Sequence, residues 1–287
     1  MMKKALGLFA MLAIMLTGCS NESEKTLNGT GTIRFDVLNY EQVSLDEVTR
    51  ASAATALAHL EMAIYDASSL EIVDSVKTVK GSEGYGSFSA TLPFGDYIVV
   101  FLGFDGSKAS SLKQIQNIGF SDAYVPNFFY KTLPLTVSPS STESQEITLS
   151  RAVSAFSIKT QGYIPNNLKN ITIVANGGGY RFNAQTGLAT SISQRTSTFD
   201  VSSYAGTESV GITIYAFLPS NETAMSFNIT ATDTNDDILA EKVFSNVPMR
   251  INQRTIYTGS LFGDGTETQG FNLTLENDVW NDINYTY

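Results

Sequence analysis

One cysteine, one histidine and one tryptophan are spread through 287 residues, and charged side chains make up only 16% of the chain. Each scarcity removes a class of chemistry. With Cys19 as the sole cysteine, no disulfide can form within the chain, so stability rests on packing and on sheet hydrogen bonds. With His59 as the sole histidine, multi-histidine zinc sites are excluded, and any histidine-based triad or cysteine nucleophile would have to use His59 or Cys19. Lys and Arg total 18 against 28 Asp and Glu, a net charge of −10. Basic residues form no run beyond Lys3-Lys4, which argues against nucleic acid as a partner, since phosphate binding needs clustered cations. After Leu16 no apolar stretch approaches the roughly 20 residues that span a bilayer. Disorder is equally unsupported, because 43% of the residues are hydrophobic and can bury a core.

The N-terminus carries the sharpest pattern. Met1-Met2-Lys3-Lys4 is a basic start, Ala5 to Leu16 is apolar but short, and small residues Thr17 and Gly18 precede Cys19. This is the layout of an export signal. Leu16-Thr17-Gly18-Cys19 resembles the lipobox of bacterial lipoproteins at all four positions. That resemblance implies removal of residues 1–18 and a lipid-bearing (palmitate-type acyl) Cys19 in the outer membrane. Two acyl chains suffice for stable anchoring, at about 0.8 kcal/mol per buried methylene. The polar stretch beginning Ser20-Asn21-Glu22 reads as a tether over 19–30.

Downstream, period-two alternation predicts an all-β chain. Ile33, Phe35 and Val37 alternate with Arg34 and Asp36. Leu60, Met62 and Ile64 alternate with Glu61 and Tyr65. Phe88, Ala90 and Leu92 lead into the turn residues Pro93-Phe94-Gly95-Asp96. Tyr97 to Leu102 is apolar on both faces, as in a strand covered on both sides. The runs Val210–Leu218, Met225–Ala231, Ile238–Phe244 and Phe271–Leu275 continue the style. Short strands between turn signals predict two antiparallel β-sandwich domains, 31–150 and 151–287, divided near Ser150. The segment 44–59 reads either as a short helix capped by Ser44 or as a loop, and its small alanines favour the loop.

Candidate sites weaken when their local patterns are tested. His59 falls on the outward alternation class and reads as a surface residue. Asp233-Thr234-Asn235-Asp236-Asp237 begins like a calcium loop, but Ile238 stands where a sharp-turn Gly is needed and Phe244 where a bidentate Glu is needed. A hairpin turn accounts for it better. Asn176-Gly177-Gly178-Gly179 lacks the spacing of a phosphate cradle and reads as a hairpin loop. Exposed tyrosines among the 13 present offer sugar-stacking surfaces. No catalytic residue, metal or cofactor is assigned, and the chain is read as a non-enzyme. Arg50-Ala51 lies in a polar, small-residue segment of the kind proteases nick.

The lipobox, the Ala90-Thr91-Leu92-Pro93-Phe94-Gly95-Asp96-Tyr97 hairpin, the Leu149-Ser150-Arg151-Ala152-Val153 restart and the run Val247–Gly259 together resemble the fimbrillin and fimbrial anchor subunit superfamily of Bacteroidetes. The resemblance implies two transthyretin-like sandwiches in tandem and a cell-surface or fimbrial location. It implies assembly with other fimbrial subunits by strand donation, with host or bacterial surface ligands as further partners. It also implies cleavage after an arginine that frees the leading strand, a role for which Arg50-Ala51 is suitably placed. A glycan-binding surface lipoprotein is the alternative expectation.

Overall fold

The computed structural model describes residues 29–43, 48–52, 57–106, 110–141, 144–263 and 271–276, with backbone alone considered at 41–43, 48–52 and 271–276. Cys19, Trp280 and residues 19–28 of the expected tether lie outside the described residues, while Thr30, placed at the end of that tether, opens the first strand. The chain is all-β. Its first half contains β1 (Thr30–Val43), β2 (Val48–Ser52), β3 (His59–Asp66), β4 (Ile72–Val79), β5 (Ser87–Pro93), β6 (Gly95–Phe104), β7 (Ile118–Gly119), β8 (Phe128–Val137) and β9 (Ser144–Arg151). Its second half contains β10 (Ser154–Gln161), β11 (Leu168–Asn176), β12 (Arg181–Asn183), β13 (Leu188–Ala189), β14 (Arg195–Asp200), β15 (Ser209–Ala216), β16 (Glu222–Asp233), β17 (Ile238–Arg250), β18 (Arg254–Gly259) and β19 (Phe271–Glu276).

The first-half strands run β2-β1-β9-β8-β6-β3-β4, with β5 also paired to β1. β8 and β9 meet only at Phe129↔Arg151 and Tyr130↔Ser150, and at that seam the sheet turns over on itself. Phe35 and Val37 from β1 thereby face Met62, Ile64, Val99 and Phe101 in one core. In the second half, a β15-β10-β18-β19 sheet faces a β14-β11-β16-β17 sheet. Phe156 stacks on Phe227 across them, with centroids 3.9 Å apart and planes 8° from parallel. Alternation drives both cores: β5 and β16 bury every second residue.

Two expectations change here. The second face of β3 is not solvent-exposed: Glu61 is 1% exposed and Tyr65 is fully buried. A third core covers that face. Ala63, Tyr65, Val100 and Leu102 pack there with Phe128, Phe182 and Phe217, and a small β13-β12-β7 sheet crosses between the two halves. β6, apolar on both sides, fits this arrangement as the alternation predicted. The glycine run 177–179 is not a hairpin loop. Gly179 bridges to Phe217, and a Cβ at Gly178 would lie 2.9 Å from the Met225 side chain. The run is a tight crossing into the small sheet, where a Cβ at Gly179 would collide with the Ser191 carbonyl oxygen.

Candidate assembly site

β1 is the strand that closes the first sandwich. Its β-branched and aromatic positions Ile33, Phe35, Val37 and Tyr40 are each no more than 5% exposed. Phe35 meets Phe101 edge-on at 5.1 Å, and Tyr40 meets Phe129 at 4.8 Å. On the outer face the Asp36 carboxylate accepts from the Ser87 hydroxyl at 2.7 Å and the Ser144 hydroxyl at 3.0 Å. One side chain thus joins β1 to β5 and to β9. Pairing is antiparallel with β5 and parallel with β9. Four large side chains at about 1.5–3 kcal/mol each amount to roughly 6–12 kcal/mol of apolar burial. That is comparable with the whole stability of an ordinary domain, so β1 does not leave unaided. Without it, β5 and β9 would face an apolar groove with unpaired backbone groups.

Arg50-Ala51 does not lie in a loop or helix. It sits in β2, which is paired with β1 through Glu41↔Arg50 and Tyr40↔Ala51. The β-branched Val48 and Thr49 suit a pleated strand, and β1 continues through Val43 to provide the edge. A protease that binds its substrate as an added strand needs the backbone groups that this ladder occupies. The bond becomes available when β2 separates from β1. Residues 44–47 and 53–56 lie outside the described residues.

The structure gathers functional candidates that local patterns do not reveal. The buried Arg151 guanidinium donates from Nε to Asn127 Oδ1 at 3.0 Å and from Nη1 to Asn252 Oδ1 at 2.9 Å. It also lies 4.7 Å from the Phe129 ring centroid. One cation therefore holds the end of β9, the approach to β8 and the β17–β18 turn. The Leu149–Val153 and Val247–Gly259 runs flagged in the sequence meet at this point. Glu61 accepts a very short hydrogen bond from the Ser110 hydroxyl. The Lys77 ammonium lies 3.7 Å from it and donates to the Ser110 carbonyl at 2.5 Å. Lys77 is the direct cross-strand neighbour of Glu61, a pairing that only the hairpin register exposes. Nearby, the Tyr65 hydroxyl donates to the Leu112 carbonyl at 2.6 Å, and burial followed by the Glu61 charge raises its pKa.

The remaining sequence candidates take structural roles. His59 is half-buried rather than outward-facing. It stacks on Phe104 at 4.8 Å, and its Nε2 bonds the Gly106 carbonyl at 2.7 Å. Asp233 organises the β16–β17 hairpin turn: its carboxylate accepts the Asn235 N–H at 2.7 Å, the Asp237 N–H at 3.1 Å and the Asn167 amide at 3.1 Å. The Asn235 N–H contributes most to lowering the Asp233 pKa.

Between the halves, Ser69, Gln114, Gln116, Asn117, Thr190 and Ser191 line an open cleft of about 610 Å³ without a charged residue. Gln116 is oriented by a 2.7 Å bond from its amide to Gln185 and by the Thr190 hydroxyl on its carbonyl at 2.5 Å. Hydroxyls and amides of this kind present both donors and acceptors to an uncharged polar ligand.

A family model described as a family of unknown function (DUF6562) matches residues 109–286. No curated protein matches the sequence. Among solved structures, a candidate adhesin from Bacteroides ovatus superposes with a TM-score of 0.51 at 14% identity, covering 80% of this chain and 88% of that one. A second, from Bacteroides thetaiotaomicron, gives 0.50 at 11% identity over 86% and 96%. The fimbrial anchor protein Mfa2 from Porphyromonas gingivalis aligns at 0.45 and 7% identity over 85% and 96%. The likeness to the two Bacteroides structures is one of fold.

Proposed function

The chain belongs to the DUF6562 family, and from that premise we propose that it is a surface lipoprotein that serves as a fimbrial or adhesive subunit and assembles by strand donation. Cys19 carries the lipid, 19–30 is the tether, and 31–150 and 151–287 are the two sandwich units. The observation that carries this reading is β1. It is a leading strand that supplies four buried side chains to a core otherwise built from later strands. A segment with the same alternation, offered by a neighbouring subunit, would satisfy the same groove and backbone groups. The Bacteroides adhesin candidates that share the fold support an adhesive or fimbrial role over a catalytic one.

The N-terminal residue of the chain recovered from cells tests the proposal. A lipid-modified Cys19 identifies a tethered base or accessory subunit, and Ala51 identifies a processed, polymerising one. Absence of the chain from surface fibres and from their bases, by mass spectrometry, would overturn the reading.

A second reading, glycan binding, is favoured by the uncharged amide- and hydroxyl-lined cleft between the halves. Selective retention of a neutral oligosaccharide on an array, lost in Gln114→Ala or Asn117→Ala, would support it. Binding unchanged by those substitutions would remove the cleft from consideration.

A further inference from the structure

β4 ends its sheet: it pairs with β3 alone, and no described strand lies on its other side. It nevertheless exposes large apolar side chains, with Ile72 38%, Val73 45% and Val79 49% exposed. An open edge of this kind invites another strand unless charge or shape prevents it. The charges on β4 and its flanks are ordered by sign. Glu71 and Asp74 lie in its first half, Lys77 and Lys80 in its second. An antiparallel copy of the same strand sets each acidic half beside a basic half, whereas a parallel copy sets like against like. Charge placed only to blunt an edge has no reason to be sorted in this way.

We propose that β4 is a homotypic docking edge, at which two copies of this chain pair antiparallel about a two-fold axis through Val76. Such an axis stands perpendicular to the sheet, so some residue must face itself across it. Centring on Asp74 opposes two carboxylates and centring on Lys77 opposes two ammonium groups, both unfavourable. Centring on Ser75 sets Val73 against a lysine. Centring on Val76 sets Ser75 against Lys77 and brings Val73, at the bulge where β4 shifts its register on β3, beside Val79 of the second copy, twice. Asp74 then faces Thr78, with Lys80 on the diagonal and its methylene stem beside Ile72, at the end of the contact and not at its centre. Val76 already packs on the first-half core, so this register joins the two cores across the interface. Lys77 keeps its bonds to Glu61 and Ser110 within its own chain. The contact is small, which suits a weak association strengthened when chains are concentrated on a surface.

Cysteine scanning of the full chain tests the edge and its register together. Val73→Cys, Ser75→Cys, Val76→Cys and Lys77→Cys chains are oxidised under mild conditions beside the unaltered chain, whose Cys19 reports the background. Directly opposed strand residues fall within disulfide reach. The expected result is linked dimer several-fold more abundant for Val76→Cys than for any neighbour. Sedimentation should show self-association of the unaltered chain that the Val73→Lys, Val79→Lys double variant loses while its circular dichroism is unchanged. A maximum at position 75 or 77, an even yield across the four, or a monomer up to about 1 mM, where weak contacts still populate dimers, would overturn the proposal.

Discussion

β1 and β10 occupy the same place in their two sandwiches, and their surroundings differ. Each opens its unit, pairing antiparallel on one side, with β5 or β15, and parallel on the other, with β9 or β18. β1 is buried on one face, with Arg34 and Leu38 exposed on the other. β10 is buried on both faces over most of its length, with the third core covering its start at Ala155. β10 is also continuous with Arg151 and the strand before it, so removing it would sever the molecule. β1 is the first of the described strands, and a cut within β2 would sever its covalent link to the strands that follow. Equivalent topology therefore yields one strand that a single cut could free, as the proposed strand donation requires, and one that is covalently continuous on both sides.

The strongest way to break this comparison is to remove β1. A chain beginning at Ala51 should lose on the order of 6–12 kcal/mol of burial and fail to melt cooperatively as a monomer. A peptide spanning residues 30–43 added in trans should restore the transition, followed by circular dichroism. Failure of the peptide to bind the truncated chain would contradict an exchangeable β1. Next in size, Phe35→Ala and Phe156→Ala should each cost about 3–5 kcal/mol in urea unfolding. Only Phe35→Ala should also accelerate cleavage at Arg50-Ala51 by a trypsin-like protease.

Arg151→Ala tests the link between the units. It leaves the buried Asn127 and the half-buried Asn252 amide oxygens without their charged donor, at about 1.5–3 kcal/mol for each lost bond, and should split a single thermal transition into two in calorimetry. Lys77→Met leaves the Glu61 charge buried without its partner. Lys77 is 40% exposed, so the loss should be nearer about 2 kcal/mol than the larger cost of breaking a fully buried pair. The smallest effects concern pH. Burial, with the Asp105 charge second, pushes Tyr85 up to about 12. Its contribution is complete below the ordinary tyrosine value near 10 and disappears as pH rises through about 12. Hydrogen bonds from the Ser68 hydroxyl, then the Ser69 N–H, hold Asp66 down to about 2. That contribution is complete above the ordinary carboxylate value near 4 and disappears as pH falls through about 2. Hydrogen exchange should therefore show first-half strands loosening first in alkali. The C-terminal half also has a raised tyrosine, Tyr257, so an equal response of both halves is the result to watch for.

Much of the strand content was legible because alternation is a local property. Ile33–Val37, Phe88–Leu92 and Met225–Ala231 each declare an inner and an outer face without reference to distant residues. β3 misleads for the same reason. Glu61 and Tyr65 look solvent-facing until Phe128, Phe182 and Phe217, far along the chain, arrive to cover them. β2 was hidden by alanines and by a partner strand whose length the pattern did not reveal. Arg151 appeared in a motif, but its amide partners lie 24 and 101 residues away, beyond the reach of any local pattern.

By itself the sequence determined the class of molecule. An export-like start and a single cysteine set the terms, and alternating runs require half-buried strands because side chains on a strand point to opposite faces. Tertiary structure decided which faces are dry, which edges are open and which bonds are guarded. Those properties depend on what another part of the chain places against a strand. The alternating faces of the strands can thus be read residue by residue, while the closing place of β1 and the open edge of β4 emerge only once both sandwiches and their shared core are assembled.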